Sequence, residues 1–410
     1  MQGISYETKR RIIFLKESGR TLKKIAFILA LSFECVRFWY RQYRDKGESG
    51  LISHSHKPME KFDEKVREIA LQLKREHKNW GAKVILTKMR KIPELKGLRL
   101  PSVSQLYVYY NSLDEKLLRD YNKDKLPSIP PEDKATQPNE CWQIDFKEKV
   151  LVENVGKVSI LNIRDEGSAL TVGSHPHQAE DTNKAPSLTS KLVIEDLRFS
   201  FEKRGLPDKI RTDRGTCFVG HPELKFPSRL TLWLCGLHVE HIINKPHCPK
   251  QNAEVERYNQ TYQNMFLKEE KVSGFQHLLK KSDEFVDFLN EEYPTNSKNC
   301  KGKPPIVVNP EIYKKRRFYS KESEIELFDI NRVKKFISTC YWERSVGANF
   351  FTFLSKSFRI PKSMNIKKVC ITYNKEKNVF TVSTKNNEFI KEIPATFINV
   401  KELTGLNPPS

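Results

Sequence analysis

Three carboxylates carried on different kinds of local structure are the residues of this chain best suited to chemistry. Asp145 sits inside the strand-like run Trp142 to Lys147, and Asp213 follows the run Asp208 to Thr212 just before Gly215. Glu256 falls near the start of a helical pattern in HCPKQNAEVERYNQTYQ, His247 to Gln263. Mg²⁺ takes hard oxygen ligands in a strict octahedron and is held by a few carboxylates plus substrate phosphate oxygens. Two such ions, Mg²⁺ or Mn²⁺, can clamp the attacking and leaving oxygens of an in-line phosphoryl displacement. Asp145, Asp213 and Glu256 are therefore the candidate catalytic and metal-ligating set. Crowded acids repel one another, so the site is expected to be loose or partly protonated until cations bind. Glu254 competes with Glu256 for the third place. Lys250 and Arg257 lie beside the third acid and are candidates for steadying phosphate.

These acids need rigid elements to hold them. Val255, Tyr258, Tyr262 and Phe266 recur at helical spacing, which predicts a helix with one apolar face, and Asn252 after Pro249 is the expected N-cap. Strands are expected at Trp142–Lys147, Lys149–Val152, Val158–Arg164, Ala169–Val172, on the approach to Asp213 and at His238–Ile243. Helices are expected at Leu188–Arg204, Ser228–Cys235 and Phe275–Glu292. Strands first, then alternating helices and strands, predict a mixed sheet with helices on both faces. Asp165 is followed by Glu166 and Gly167 and reads as a plain loop acid.

The formal net charge of +21 over 410 residues is unevenly spread. Residues 1–58 carry 12 basic and 5 acidic side chains, whereas 138–300 carry 22 and 24. Basic arms around a near-neutral acid-bearing centre suit a protein that grips polyphosphate and keeps its carboxylates for cations, which makes double-stranded DNA the expected partner. The eight cysteines include no CxxC pair and fit reduced thiols. The irregular cluster His238, His241, His247 and Cys248 lacks the paired cysteines of a zinc site. No signal-peptide pattern and no apolar run of membrane-spanning length is found. A soluble cytoplasmic protein is expected, on the bacterial nucleoid when bound to DNA.

Before the acids, helices are expected at 5–18, 22–29 and 33–44, with Ile25, Ala26, Val36 and Trp39 or Tyr40 as core. Helix, tight turn and helix carrying Arg37, Arg41 and Arg44 looks like a helix-turn-helix whose last helix enters the major groove. A second unit follows, with helices from Phe62, Lys83 and Pro101, and Ser104 to Tyr109 as its base-reading segment. Residues 127–138 read as a proline-rich linker. Beyond the centre, Lys314, Lys315, Arg316 and Arg317 form a run of cations suited to phosphates, and the short alternating runs after Phe336 read as a small β-barrel.

WQIDF around Asp145, IRTDRG around Asp213 and NAEVERYNQT around Glu256 resemble the Asp-Asp-Glu triad of DDE transposases and retroviral integrases. The chain departs from that pattern at Arg214, where Asn is common, at Ala253, where Gly is common, and in a longer interval between Asp213 and Glu256. The resemblance implies a multidomain α/β protein. Residues 1–58 and 59–126 would be helix-turn-helix DNA-binding domains, and 139–300 a ribonuclease H-like integrase catalytic core. Residues 301–334 would be a basic connector, and 335–400 a barrel similar to the C-terminal domain of Mu-type transposases. It also implies a transposase using two Mg²⁺ or Mn²⁺ ions to free a 3′-hydroxyl at an element's end and join it to target DNA. Synapsis of two ends implies a homo-oligomer; a helper protein is left open. The alternatives are a non-catalytic DNA-binding protein derived from a transposase, or a ribonuclease H-like nuclease.

Overall fold

The structure, a computed structural model, describes residues 4–51, 59–113, 134–221, 225–246, 249–297, 300–313, 317–364 and 366–407. Most of the expected linker 127–138, and Lys314, Lys315 and Arg316, lie outside the described residues.

Helices α1 (Tyr6–Glu17), α2 (Leu22–Ile28) and α3 (Phe33–Lys46) each begin where a hydroxyl side chain, of Ser5, Thr21 or Ser32, accepts a backbone N–H of the first turn. Ile12, Ile13, Ile25, Ala26 and Val36 close a small core that Leu51 completes. Leu51 belongs to a 3-10 turn, Gly47–Leu51, that packs against this core.

Helices α4 (Glu64–Glu76), α5 (Ala82–Met89) and α6 (Val103–Asn111) form the next unit, the last opened by a capping box between Ser102 and Gln105. This unit shares one hydrophobic cluster with the central sheet and its helices. The Trp80 Nε1–H donates to the Met265 carbonyl at 3.2 Å, and the Asn79 N–H to Glu269 at 2.7 Å. The physical reason lies in α5, where Ala82, Val84, Ile85, Leu86 and Met89 are all buried. That is more apolar surface than two short partner helices can cover.

The sheet contains β1 (Cys141–Val152), β2 (Gly156–Asp165), β3 (Thr171–Gln178), β4 (Lys209–Thr212) and β5 (Glu240–Ile243), in the order β3-β2-β1-β4-β5. The first three strands are antiparallel; β1, β4 and β5 are parallel. The two strands expected between Trp142 and Val152 are one, bent at a bulge between Lys147 and Val150 where Lys149 has φ +55°. Strand β3 runs on through His175, Pro176, His177 and Gln178, a stretch without apolar alternation that hid it from a hydrophobicity reading. Helices α7 (Ser190–Arg204) and α9 (Arg229–Gly236), with the single turn α8 (Thr216–Val219) between them, cover one face; α10 (Ala253–Tyr262) and α11 (Phe275–Glu291) cover the other. Strand alternation sends Trp142, Ile144 and Phe146 toward α7 and α9, which leaves Gln143 and Asp145 on the α10 side.

The segment expected as a basic connector instead folds onto the core: α12 (Pro305–Val308) packs beside α11, whereas α13 (Glu324–Leu327) and α14 (Ile330–Ser338) lie on the α7–α9 face. Tyr319 and Glu324 are fully buried there. Strands β6 (Tyr341–Ser345), β7 (Phe350–Phe353), β8 (Lys356–Arg359), β9 (Lys368–Asn374), β10 (Val379–Ser383) and β11 (Phe389–Pro394) follow, and helix α15 (Val400–Thr404) ends the fold. The closed barrel expected here is an open sheet, β11-β10-β9-β6, with a separate β7–β8 hairpin. Among the described strands, β6 and β11 each pair on one side only. The phenyl ring of Phe226 sits among Trp342, Phe353, Phe380 and Phe397 and welds this unit to the core. Among the described residues no helix is long and apolar enough to cross a membrane.

Candidate functional site

Gln143 pairs with Arg211 in the parallel ladder of β1 and β4, so Asp145 and Asp213, each two residues further on, stand level where β4 ends beside the longer β1. Asp213 closes its own turn by accepting the Gly215 N–H on Oδ1 at 2.8 Å. Glu256 lies in the first turn of α10, and that helix is fastened to β1. The Gln143 Oε1 accepts the N–H groups of Glu254 and Val255 at 3.1 and 3.3 Å, which satisfies two donors that a helix start leaves free. Asn252 is the N-cap residue, as expected, but its side chain makes no cap bond and points Nδ2 at the Ile144 carbonyl, 3.5 Å away, so the capping contacts come from the strand residue Gln143.

The electrostatics tie the three acids together. Burial pushes the Asp145 carboxyl up to about 7, and the charges of Asp213 and Glu256 push in the same direction. Partial burial also holds the Glu256 carboxyl above its ordinary value. Asp213 and Glu256 are exposed, so the site opens to solvent on one side. Glu254 turns elsewhere, pairing with Lys134 at 3.2 Å. Among the described residues no three His, Cys, Asp or Glu side chains converge on one ion-sized point. The donor set nevertheless fits a divalent cation chemically: hard carboxylate oxygens from three elements, whose mutual repulsion a positive ion would relieve.

Other candidate residues separate into groups. Arg37, Arg41 and Arg44 are exposed on α3, each beside an acid of the same helix: Glu34 at 2.9 Å, and Asp45 at 3.6 and 2.8 Å. Ser104, Tyr107 and Val108 face solvent on α6. Arg257 is exposed next to Glu256 and borders a cavity of about 200 Å³ that also holds Arg164. Lys250 falls in the 3-10 turn Pro249–Asn252, and its side chain lies outside the described residues. Arg317 turns inward, donating to the carbonyls of Pro207 and Leu237 at 2.7 Å each, and is not free to lie along phosphates. Arg214 donates to the Asn244 carbonyl at 3.0 Å. Asp165 is no loop acid: it is fully buried at the end of β2, where the N–H groups of Asn139 and Gly167 and the Ser168 hydroxyl donate to it. Sequence reasoning missed Gln143 and Asn259. Both were reachable by counting faces, two residues from Asp145 on a strand and three from Glu256 on a helix.

Among the described residues the histidines form no metal cluster. His241 Nε2 and Nδ1 are taken by Thr212 and Thr231 at 3.0 and 2.9 Å, His238 faces Asp329 at 3.7 Å, and His247 and Cys248 lie outside the described residues. Burial lowers the His241 imidazole to about 4. The unfolded chain, titrating near the ordinary 6.5, then binds the proton more readily, so the neutral ring contributes stability above pH 6.5 that is lost as the pH falls toward 4. The expected loss is up to about 3 kcal/mol, and His241→Asn should flatten the pH dependence of the urea midpoint across that window. A wild-type imidazole resonance titrating near 6.5 would contradict this.

Residues 8–59 match a helix-turn-helix domain family and residues 237–302 an integrase core domain family. The chain is 27% identical over 205 residues to the uncharacterized 39.2 kDa protein of insertion element IS476 from Xanthomonas euvesicatoria, covering 48% of this chain and 52% of that one. It is 24% identical over 187 residues to the Gag-Pro-Pol polyprotein of mouse mammary tumor virus (strain BR6), covering 45% of this chain and 10% of the polyprotein. It thus spans about half the length of the first relative and a tenth of the second. Among solved structures, the HTLV-2 integrase catalytic core domain in complex with magnesium is 18% identical and covers 43% of this chain and 99% of that one, with a TM-score of 0.32. The simian T-cell lymphotropic virus intasome in complex with PP2A regulatory subunit B56 gamma is 14% identical and covers 79% and 95%, with a TM-score of 0.33. The helix-turn-helix match, the integrase core match and the insertion-element relative together support the resemblance to the superfamily of DDE transposases and retroviral integrases.

Proposed function

We propose that the chain is a transposase that binds the ends of a mobile element, cleaves a phosphodiester there to expose a 3′-hydroxyl, and joins that hydroxyl to target DNA. The observation that supports this reading is the parallel register of β1 with β4, which sets Asp145 beside Asp213, together with the fastening of the α10 start to β1 through Gln143. These three side chains would hold two Mg²⁺ or Mn²⁺ ions, which when bound supply charge neutralisation for an in-line phosphoryl displacement. The chain's own part is to fix the acids on β1, after β4 and on α10, and to leave the site open on the side where Asp213 and Glu256 meet solvent. In cleavage, a water oxygen forms the new bond to phosphorus and the 3′-oxygen leaves with a proton. In joining, that 3′-oxygen becomes the nucleophile and a target 3′-oxygen leaves, so no covalent protein intermediate arises. Joining two ends calls for a homo-oligomer on DNA. The proposed domain limits are those of the sequence reading, with 59–113 docked on the core and 301–334 serving as part of it.

The direct test incubates the full chain with DNA bearing the inverted repeats that flank its reading frame, plus Mg²⁺. Nicking at the repeat ends supports the enzyme, whereas footprinting without nicking supports a DNA-binding protein without chemistry. Cleavage of RNA–DNA hybrids in preference to repeat ends would point to a nuclease. The exposed cations of α3 give a separate expectation. Arg37→Ala together with Arg41→Ala should lower the slope of log affinity against log salt by about 2, as two phosphate contacts are lost. An unchanged slope in a filter-binding salt series would remove α3 from the interface.

A further inference from the structure

Asp145, Asn162 and Ser174 stand opposite one another in a row across β1, β2 and β3, beneath α10. Hydrogen bonds run along this row and into the helix. Ser174 Oγ donates to Asn162 Oδ1 at 2.7 Å, Asn162 Nδ2 donates to Asn259 Oδ1 at 2.6 Å, and Asn259 Nδ2 donates to Asp145 Oδ2 at 2.8 Å. At the far end the Tyr258 hydroxyl lies 2.6 Å from Ser174 Oγ. Ser174 has a single proton and gives it to Asn162, so Tyr258 must be the donor at that contact. The four residues are all buried, so water does not stand in for any member. An amide can turn either way round in such a site, and the opposite order would aim the Asn259 oxygen at the Asp145 carboxylate. The direction of the whole chain is what prevents this.

We propose that Tyr258, Ser174, Asn162 and Asn259 form a one-way hydrogen-bond relay that fixes the Asp145 side chain for cation binding. Asn259 is the positioning residue in contact with the carboxylate; the other three act through it. This rests on the reading of Asp145 as a metal-binding acid. Outer partners of metal ligands change affinity by one to two orders of magnitude when removed. A relay acting in series has a further property that independent packing contacts lack: its losses do not multiply.

The test titrates the full-length chain and its variants with Mn²⁺, reading bound metal by water-proton relaxation, with circular dichroism and repeat-DNA binding as folding controls. Asn259→Leu should weaken Mn²⁺ binding by about tenfold or more. Ser174→Ala should weaken it by about threefold, and Ser174→Thr, which keeps the hydroxyl, should restore it. The double variant Ser174→Ala/Asn259→Leu should bind no more weakly than Asn259→Leu alone. Unchanged binding in a folded Asn259→Leu chain, or losses that multiply in the double variant, would overturn the relay. A wild-type chain that binds Mn²⁺ with these sensitivities but cuts no repeat DNA would leave the relay standing and remove the transposase reading. A wild-type chain that binds no Mn²⁺ would overturn both.

Discussion

Asp145→Asn is expected to lower Mg²⁺-dependent cleavage of repeat-end DNA by about a thousandfold or more, equivalent to about 4 kcal/mol of transition-state stabilisation. The amide keeps the shape of the carboxyl and an oxygen for the Asn259 Nδ2 bond, so the fold and the DNA contacts of α3 should survive. What goes is one negative charge among three, the feature on which the chemistry is proposed to depend. Stability should move the other way. The Asp145 carboxyl is raised from its ordinary 3.8 to about 7 in the folded chain, so the folded state binds the proton more tightly than the unfolded one. That contribution is full below pH 3.8 and is lost as the pH rises through 7. Without metal at pH 8, the Asn variant should therefore melt at or above the wild-type temperature, with the difference shrinking toward pH 4. A variant that is inactive and no less stable separates a site built for cations from one built for packing. Retained cleavage by Asp145→Asn would remove Asp145 from the catalytic set.

The elements that carry these three acids were legible because their signals are local. Asp145, Asp213 and Glu256 each stand beside a run whose period, two or 3.6, is visible over a few residues, and the small core of Ile25, Ala26 and Val36 follows from one amphipathic pattern. What stayed hidden depends on long-range partners. Gln143 reads as an unremarkable strand residue until α10 is laid against β1, and Arg317 reads as a phosphate contact until the carbonyls of Pro207 and Leu237 are brought to it. The strand through His175 and His177 carries polar residues because its side chains bond to Ser200 and Asp196 of α7, a condition no window of sequence contains. The run 301–334 looked like a connector because it opens with Pro304, Pro305 and Pro310 and carries four consecutive cations at 314–317. Its buried members, Pro305, Tyr319, Glu324, Phe328 and Val333, are the ones that decide where it lies.

Glu324 carries the second large expectation. Its carboxylate accepts Arg198 Nε at 2.7 Å and Nη2 at 2.6 Å, the Trp233 indole N–H at 2.9 Å and the Tyr319 hydroxyl. Arg198 also donates to the Thr404 carbonyl at 2.6 Å and to Glu195 at 2.6 Å. One buried acid therefore ties α7, α9, the 301–334 segment and, through Arg198, the end of α15. Glu324→Ala leaves the buried guanidinium with only the half-exposed Glu195 as counter-charge and deprives two buried donors of their acceptor, an arrangement that costs about 3–5 kcal/mol, read as a lower urea midpoint of the core. Replacing both partners by apolar residues of similar size, Arg198→Met with Glu324→Leu, should recover most of the loss, because neither charge is then left alone. The network lies on the face opposite α10, so cleavage per folded molecule should be unchanged in either variant even as the folded fraction falls. A Glu324→Ala midpoint equal to wild type would show that the 301–334 segment is not held to the core by this charge. A drop in cleavage per folded molecule would show instead that the two faces of the sheet are coupled through β1.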